Sequence, residues 1–170
     1  MPTLDTAILY PGGVLYEGTS ISEGRGTTRP FELIGHPGLD PYKLVSRLEE
    51  RCHEAGLGGF HLRPQSFQPT FDKHAREGCG GFQVHVLDRR RFRSWRFTQV
   101  TLRCLREDFP GVLSWNAPPY EYEAVKLPID ILNGSDEPRR WVDGSAADLV
   151  GLEGFGYPGF LASRSDALLY

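Results

Sequence analysis

The sequence is poor in cysteine, which excludes two classes of small protein. Cys52, Cys79 and Cys104 are the only cysteines, an odd number at wide spacing. Neither a disulfide framework nor a metal site built on closely spaced cysteine pairs fits this pattern. We therefore expect three free or buried thiols.

Long apolar runs and extended basic stripes are also absent. No run reaches the length of a membrane span, and no signal-peptide pattern stands before the first motif. The one cationic cluster is short, and the net charge of the chain is −3. Its members are Arg89, Arg90, Arg91, Arg93 and Arg96. We accordingly predict neither a membrane nor a nucleic acid as a partner.

What remains has the composition of an ordinary globular domain. The 170 residues are 39% hydrophobic and 24% charged. This length suffices for one hydrophobic core, and no internal repeat or low-complexity tract divides the chain. We predict a single domain over residues 1–170.

Two segments carry strong helix signals. Asp40 followed by Pro41 is typical of a helix start, and apolar residues then recur at helical spacing as far as Cys52. Ser94 predicts the N-cap of a second helix that ends near Phe109.

Strand signals alternate with these helices. The pattern over residues 82–88 predicts a central strand, and residues 30–34 predict a short one. Pro64 confines the strand that begins at Phe60 to a sheet edge or a bulge. At the N-terminus we expect a short helix through Tyr10, broken by the Pro-Gly-Gly sequence at 11–13.

The glycine-rich loop, residues 17–31, is the most polar short stretch of the chain. Glycines at 18, 24 and 26 allow tight turns or close approach, and five Ser or Thr hydroxyls lie among them. Arg25, between two glycines, could pair bidentately with the planar anion of a ligand. It could equally pair with an internal carboxylate and order a tight connection. The residues alone leave both interpretations open.

Other polar residues give weaker indications. Glu17 and Glu23 are candidate catalytic carboxylates, but their polar surroundings do not predict the apolar pocket of a catalytic acid. Lys73, His74 and His85 form a second polar set. The histidines lack the spacing of a complete ligand set, so we predict no metal site.

The sequence resembles the C-terminal part of the NamZ-type exo-β-N-acetylmuramidases. These bacterial glycoside hydrolases release N-acetylmuramic acid from the non-reducing ends of peptidoglycan fragments. Ser20 is a departure, because the family often has Asn there. The matching motifs span nearly the whole chain and are Tyr10-Pro11-Gly12, Glu17-Gly18-Thr19, Ser22-Glu23-Gly24-Arg25-Gly26-Thr27-Thr28, Pro30-Phe31-Glu32, Lys73-His74, Cys79-Gly80-Gly81, Gln83-Val84-His85-Val86, Asp88-Arg89, Pro118-Pro119-Tyr120-Glu121-Tyr122, Pro128-Ile129-Asp130-Ile131-Leu132 and Leu168-Leu169-Tyr170.

This resemblance implies an α+β fold. It implies a small curved or barrel-like mixed sheet, with the two main helices packed on it and long Gly- and Pro-rich loops between the elements. It further implies an N-terminal Rossmann-like domain, which carries the glutamate proposed for acid chemistry and which this sequence does not contain. We therefore expect an exposed apolar patch in residues 1–16, formed by Ile8, Leu9, Val14 and Leu15, with self-association as a consequence.

The resemblance also implies a partner and a site. The partner is a muropeptide or another glycan that contains N-acetylmuramic acid, and no cofactor is expected. The implied substrate-binding residues are Ser22, Gly24, Arg25, Gly26, Thr27 and Tyr120. An extracytoplasmic location would follow. The alternatives are a stand-alone carbohydrate-binding or interaction module, and a chain that is hydrolytic by itself.

Overall fold

The computed structural model describes residues 1–146, 148–153 and 157–168. The α-helices are α1 (Leu4–Gly13), α2 (Pro41–Glu54), α3 (Ser94–Asp108), α4 (Pro128–Asn133), α5 (Glu137–Val142), α6 (Leu149–Glu153) and α7 (Tyr157–Arg164). The strands are β1 (Leu33–His36), β2 (Phe60–Phe67) and β3 (Cys79–Val86). Single 3₁₀ turns follow α1 and α7. None of the described helices is both long and apolar enough to cross a membrane.

The three strands form an antiparallel sheet in the order β1-β3-β2. The prediction of a single α+β domain is confirmed. Within it, the expectation of a barrel-like mixed sheet is corrected, because the sheet is open and both of its strand pairs are antiparallel. Strand β2 lies at an edge, where Pro64 needs no ladder partner on its outer side, as its sequence predicted.

Helices α2 and α3 supply much of the core. Asp40 caps α2 by accepting a hydrogen bond from the Lys43 backbone N–H at 2.9 Å, and Leu44 and Leu48 are buried beneath the helix. On α3, Phe97 packs edge-on against Phe82 of the sheet. The predicted packing of the two main helices is therefore confirmed.

Ser94 does not have the predicted role. Arg93 occupies the N-cap position of α3, and no side chain caps the helix. The Ser94 hydroxyl instead donates to the carbonyl of Leu9 and accepts from the backbone N–H of Gly12, two contacts to α1. A hydroxyl at the start of a helix can thus bond to a neighbouring helix instead of capping its own.

Helix α1 continues beyond the predicted break. It begins at the N-cap Thr3 and runs through Pro11 to Gly13. Gly12 is required there, because a Cβ atom would lie 2.2 Å from the Ser94 carbonyl oxygen. The glycines that looked like helix breakers therefore permit close packing of α1 on α3.

The predicted apolar patch is also mostly absent. Leu9 and Leu15 are buried in the core, while Ile8 and Val14 are partly buried. Leu4 remains exposed on the first turn of α1. The segment covers itself against α3, so the patch offers no support for self-association.

The three cysteines are free and buried. Burial raises the pKa of Cys52 and Cys104 to about 12 and that of Cys79 to about 11. The thiols are therefore protonated at neutral pH and act as small apolar side chains.

Candidate functional site

The glycine-rich loop is built on its own hydrogen bonds. Gly24 and Gly26 have φ angles of +74° and +83°, a conformation that favours glycine. The Ser22 hydroxyl accepts from the Gly24 N–H at 3.2 Å, and the Thr27 hydroxyl donates to the Gly24 carbonyl at 2.6 Å. Ser22, Gly24 and Thr27, predicted to bind substrate, thus shape the turn that presents Arg25.

A second segment, the β2–β3 connection at residues 68–78, lies against this loop. The Thr70 N–H and hydroxyl both donate to the Gly26 carbonyl, at 3.0 and 2.8 Å. A Cβ atom on Gly26 would lie 2.7 Å from the Phe71 carbonyl oxygen. Gly26 therefore allows the two segments to touch, and the side chain of Phe71 at this contact is exposed.

Arg25 lies among three carboxylates. Its Nη2 donates to Glu17 at 3.2 Å, and its Nε lies 3.4 Å from Asp72 and 3.8 Å from Glu23. These contacts use the side of the guanidinium that carries Nε and Nη2. The Nη1 group donates to none of the residues that the structure describes, and the side chain is 47% exposed. Arg25 thus keeps N–H groups without a partner among the described residues, on a side chain that is about half exposed.

Glu23 is buried beneath Arg25, with 2% of its side chain exposed. Its Oε2 accepts from the Lys73 ammonium at 2.8 Å. Lys73 also donates to the carbonyls of Tyr16 at 2.7 Å and Ile21 at 3.1 Å. A buried carboxylate requires such a cation, and this one fastens the β2–β3 connection to the loop.

Glu17 joins the loop to the proline- and aromatic-rich segment that follows α3. The Tyr120 hydroxyl donates to Glu17 Oε2 at 3.1 Å, and the Asn116 amide donates to the Glu17 carbonyl at 2.9 Å. Burial and the nearby Glu17 carboxylate raise the pKa of Tyr120 to about 12. Tyr120 is therefore a neutral hydrogen-bond donor at physiological pH.

Comparison with known proteins places this arrangement in a family. The family model for "Exo-beta-N-acetylmuramidase NamZ, C-terminal" matches residues 8–170. The chain belongs to this family. Over 110 residues it is 41% identical to the peptidoglycan beta-N-acetylmuramidase NamZ of Bacillus subtilis (strain 168), a match that covers 65% of this chain and 26% of the relative.

Two solved structures share the NamZ C-terminal fold. Both are DUF1343 family proteins from Bacteroides fragilis NCTC 9343. One has a TM-score of 0.73 at 19% identity and covers 96% of this chain; the other has 0.56 at 20% identity and covers 99%. This chain spans 42% and 41% of those chains, so its relatives are considerably longer than it is.

The histidines of this NamZ C-terminal chain lie beside the loop rather than in it. His74 Nε2 contacts the Ser20 carbonyl at 2.7 Å, and its ring meets His36 edge-on at 4.6 Å. Burial and the neighbouring His74 lower the pKa of His36. His85 instead stacks with His61 across the sheet. Among residues 1–146, 148–153 and 157–168, no three His, Cys, Asp or Glu side chains converge as metal ligands would.

Glu32, named in a family motif, has a structural role. Its buried carboxylate accepts from the hydroxyls of Thr6 at 2.8 Å and Thr3 at 2.9 Å and pairs with Arg29 at 3.3 Å. Burial alone raises the pKa of Glu32, but these hydroxyls and the Arg29 charge more than offset it and hold the pKa below its usual range. Glu32 thus ties the start of α1 to the loop.

Asp72 is the contact that sequence reasoning missed. It follows Phe71 in the β2–β3 connection and has a φ of 70°, so its carboxylate turns toward Arg25. Its only sequence signal is its place directly before Lys73-His74, the pair noted in the family pattern. Of the residues predicted to bind substrate, the structure brings Arg25, Gly26 and Tyr120 together around Glu17 and Asp72.

Proposed function

We propose that this chain is the substrate-recognition half of an exo-β-N-acetylmuramidase that releases N-acetylmuramic acid from the non-reducing ends of peptidoglycan fragments. Membership of the NamZ C-terminal family supports the proposal. So does the name of its Bacillus subtilis relative, a peptidoglycan beta-N-acetylmuramidase. Because peptidoglycan lies outside the cytoplasmic membrane, we also propose an extracytoplasmic location.

The observation that carries this proposal is the open end of the Arg25 fork. N-acetylmuramic acid differs from N-acetylglucosamine by a lactyl ether that bears a carboxylate. Such a planar anion can accept two parallel hydrogen bonds at the outer end of a guanidinium, one from an Nη1 N–H and one from an Nη2 N–H. The internal carboxylates occupy the Nε side of Arg25 and leave Nη1 without a bond to any described residue. They orient Arg25 and leave its outer end available.

The residues around Arg25 suit the rest of the sugar. Asp72 places a partly exposed carboxylate beside Arg25, and each of its oxygens keeps a lone pair that can accept from a sugar hydroxyl. Phe71, whose backbone lies against Gly26, has an exposed aromatic ring. Aromatic faces pack against the apolar face of a sugar ring. A face that combines these groups is a recognition surface for a carboxylated sugar.

Catalysis is proposed to come from a preceding Rossmann-like domain. Within this chain, Glu23 is held by Lys73, and Glu17 is held by Arg25 and Tyr120. A catalytic acid needs a carboxyl group that keeps its proton in an apolar pocket, and both of these groups lie among cations and donors. Neither suits acid chemistry, so the chain supplies binding alone.

Two measurements on the isolated chain and on a protein that joins it to the Rossmann-like domain test the proposal. Calorimetric titration should show tighter binding of N-acetylmuramic acid than of N-acetylglucosamine. Release of N-acetylmuramic acid from a chromogenic muramide should require the two-domain protein. Turnover by the isolated chain that disappears in Glu17→Gln or Glu23→Gln would overturn the assignment of catalysis, and equal binding of both sugars would overturn the recognition role.

A further inference from the structure

We infer that Lys73 is a positioning residue that keeps Arg25 at the protein surface, and that the ability to discriminate a carboxylated sugar depends on it. The inference rests on the proposed role of Arg25. It concerns a side chain that does not touch the ligand and whose ammonium lies beneath the loop. The buried Glu23 carboxylate has two cations within 4 Å, Lys73 and Arg25.

The two cations lie at different distances from the Glu23 carboxylate. The Lys73 ammonium donates to it at 2.8 Å, whereas Arg25 Nε is 3.8 Å away. The Glu23 side chain is 2% exposed, so its charge must be balanced by a neighbour rather than by water. Lys73 supplies that balance, and Arg25 is free to extend toward solvent.

Lys73 itself has little freedom to move. Its three N–H groups are engaged by Glu23 and by the carbonyls of Tyr16 and Ile21. The backbone on either side is fixed as well, because Thr70 bonds to Gly26 and His74 contacts the Ser20 carbonyl. The Lys73 ammonium is therefore held in one position beneath the loop.

The backbone around Lys73 is also unusual. Asp72, His74 and Arg76 have φ angles of 70°, 54° and 65°, in the left-handed region that non-glycine residues seldom adopt. Such conformations cost free energy and persist where surrounding contacts enforce them. The β2–β3 connection thus holds Lys73 under the loop and Asp72 beside Arg25 at the same time.

Loss of the ammonium would act on Arg25 in two ways. The 3.8 Å gap between Arg25 Nε and Glu23 would close, because the guanidinium would be the nearest cation left for a buried carboxylate. The cluster of Glu17, Glu23, Asp72, Arg25 and Lys73 would also change from one net negative charge to two. Both changes disfavour an incoming carboxylate and leave a neutral sugar nearly unaffected.

Lys73→Met is the direct test, because it keeps most of the aliphatic stem and removes the charge. In the two-domain protein we expect this variant to lose about tenfold or more in affinity for N-acetylmuramic acid, the size of one charged hydrogen bond. Affinity for N-acetylglucosamine should change less than about twofold. Lys73→Arg, which keeps the charge, should retain most of the discrimination. Thermal melting of each variant shows whether the fold persists.

The double variant Glu23→Gln with Lys73→Met separates positioning from folding. It removes both buried charges, so nothing draws Arg25 inward, and discrimination between the two sugars should return toward the wild-type value. A general structural role for Lys73 predicts no such recovery. Wild-type discrimination in a folded Lys73→Met variant, or equal losses for both sugars, would overturn the inference.

Arg25→Lys, measured alongside, keeps this inference distinct from the proposed function. If Arg25→Lys leaves discrimination unchanged, the proposed role of Arg25 fails. If Arg25→Lys abolishes discrimination while Lys73→Met preserves it, the role of Arg25 stands and only the positioning role of Lys73 fails.

Discussion

Two arginine–carboxylate clusters in this chain show how one chemistry serves two purposes. Between α2 and α3, Asp108 accepts hydrogen bonds at 3.0 to 3.3 Å from both Arg47 and Arg51. All three Arg47 nitrogens are engaged, since its Nη1 donates to Glu50 at 2.7 Å, and Arg51 Nη2 also pairs with Glu107 at 2.9 Å. The shared Asp108 carboxylate thus joins two helices.

The cluster on the glycine-rich loop has fewer hydrogen bonds for each guanidinium group. One guanidinium, Arg25, lies among Glu17, Glu23 and Asp72, but it makes one hydrogen bond and two longer ion pairs. Its Nη1 has no partner among the described residues. An arginine held on one side and free at the other end is suited to binding, whereas one such as Arg47, whose three nitrogens are all engaged, is suited to stability.

We expect the largest effect from a substitution that breaks the cluster between α2 and α3. Asp108→Ala removes the carboxylate shared by Arg47 and Arg51 and leaves two guanidinium groups close together. Because the cluster is partly exposed, we expect a loss of about 1–3 kcal/mol in the free energy of unfolding. Urea unfolding measures it. Discrimination between the two sugars should not change, and a change would mean that the clusters are coupled.

Low pH should abolish the same contribution of Asp108 to the free energy of unfolding. Burial alone raises the pKa of Asp108, but hydrogen bonds from Arg51 and Arg47 hold it below its usual range. A lowered folded-state pKa contributes stability that is present above the unfolded value of about 3.9 and is lost as the pH falls through the folded value. The melting temperatures of wild type and Asp108→Asn should therefore differ at pH 7, and the difference should shrink as the pH falls below about 3.9. A constant difference would contradict this account.

A smaller effect is expected at the loop. Glu17→Gln retains an oxygen that can accept from Arg25 Nη2 but removes a negative charge beside the proposed anion site. Affinity for N-acetylmuramic acid should rise by about threefold, because one weak repulsion is lost in a partly exposed cluster. N-acetylglucosamine serves as the control and should bind as before. A loss of affinity for both sugars would show that Glu17 contacts the ligand directly.

The smallest effect is expected for Tyr120→Phe. It removes one hydroxyl donor to Glu17, a neutral-to-charged hydrogen bond near the surface. We expect a loss of about 0.5–1 kcal/mol in unfolding free energy and little change in sugar discrimination. Because the pKa of Tyr120 is raised to about 12, the ultraviolet phenolate signals of wild type and Tyr120→Phe should coincide up to about pH 10 and differ only above it. A difference titration of the two proteins checks this.

Sequence patterns predicted helices and strands well where interactions within a few residues determine the structure. Asp40 and Pro41 define the start of α2 because a cap and a fixed φ act within one turn. The alternation at residues 82–88 predicted the second half of β3, the central strand, which runs from Cys79 to Val86. The roles of Ser94 and Gly12 were predicted wrongly because these two residues contact each other although they lie 82 positions apart in the sequence.

The site could be predicted only in part for the same reason. Hydroxyls, glycines and Arg25 marked the loop, since they lie within a few residues of one another. The approach of Asp72 and Lys73 to Arg25 and Glu23 depends on the path of the β2–β3 connection across the loop. Positive φ angles at Asp72, His74 and Arg76 shape that path. Asp and His adopt this conformation more often than most residues, but too seldom for the sequence to mark these turns.

The central claim is that the open fork of Arg25 reads the lactyl carboxylate, and Arg25→Lys tests it most directly. Lysine keeps the charge and loses the bidentate geometry. Arg29→Lys is a matched control, because Arg29 lies on the same loop, is 48% exposed against 47% for Arg25, and uses its Nη1 on Glu32.

Calorimetric titration of N-acetylmuramic acid and N-acetylglucosamine is carried out on both variants of the two-domain protein. The account predicts that Arg25→Lys weakens N-acetylmuramic acid binding by about tenfold with N-acetylglucosamine unchanged, and that Arg29→Lys changes neither. Equal losses for both sugars in Arg25→Lys, or the same selectivity change in Arg29→Lys, would contradict it.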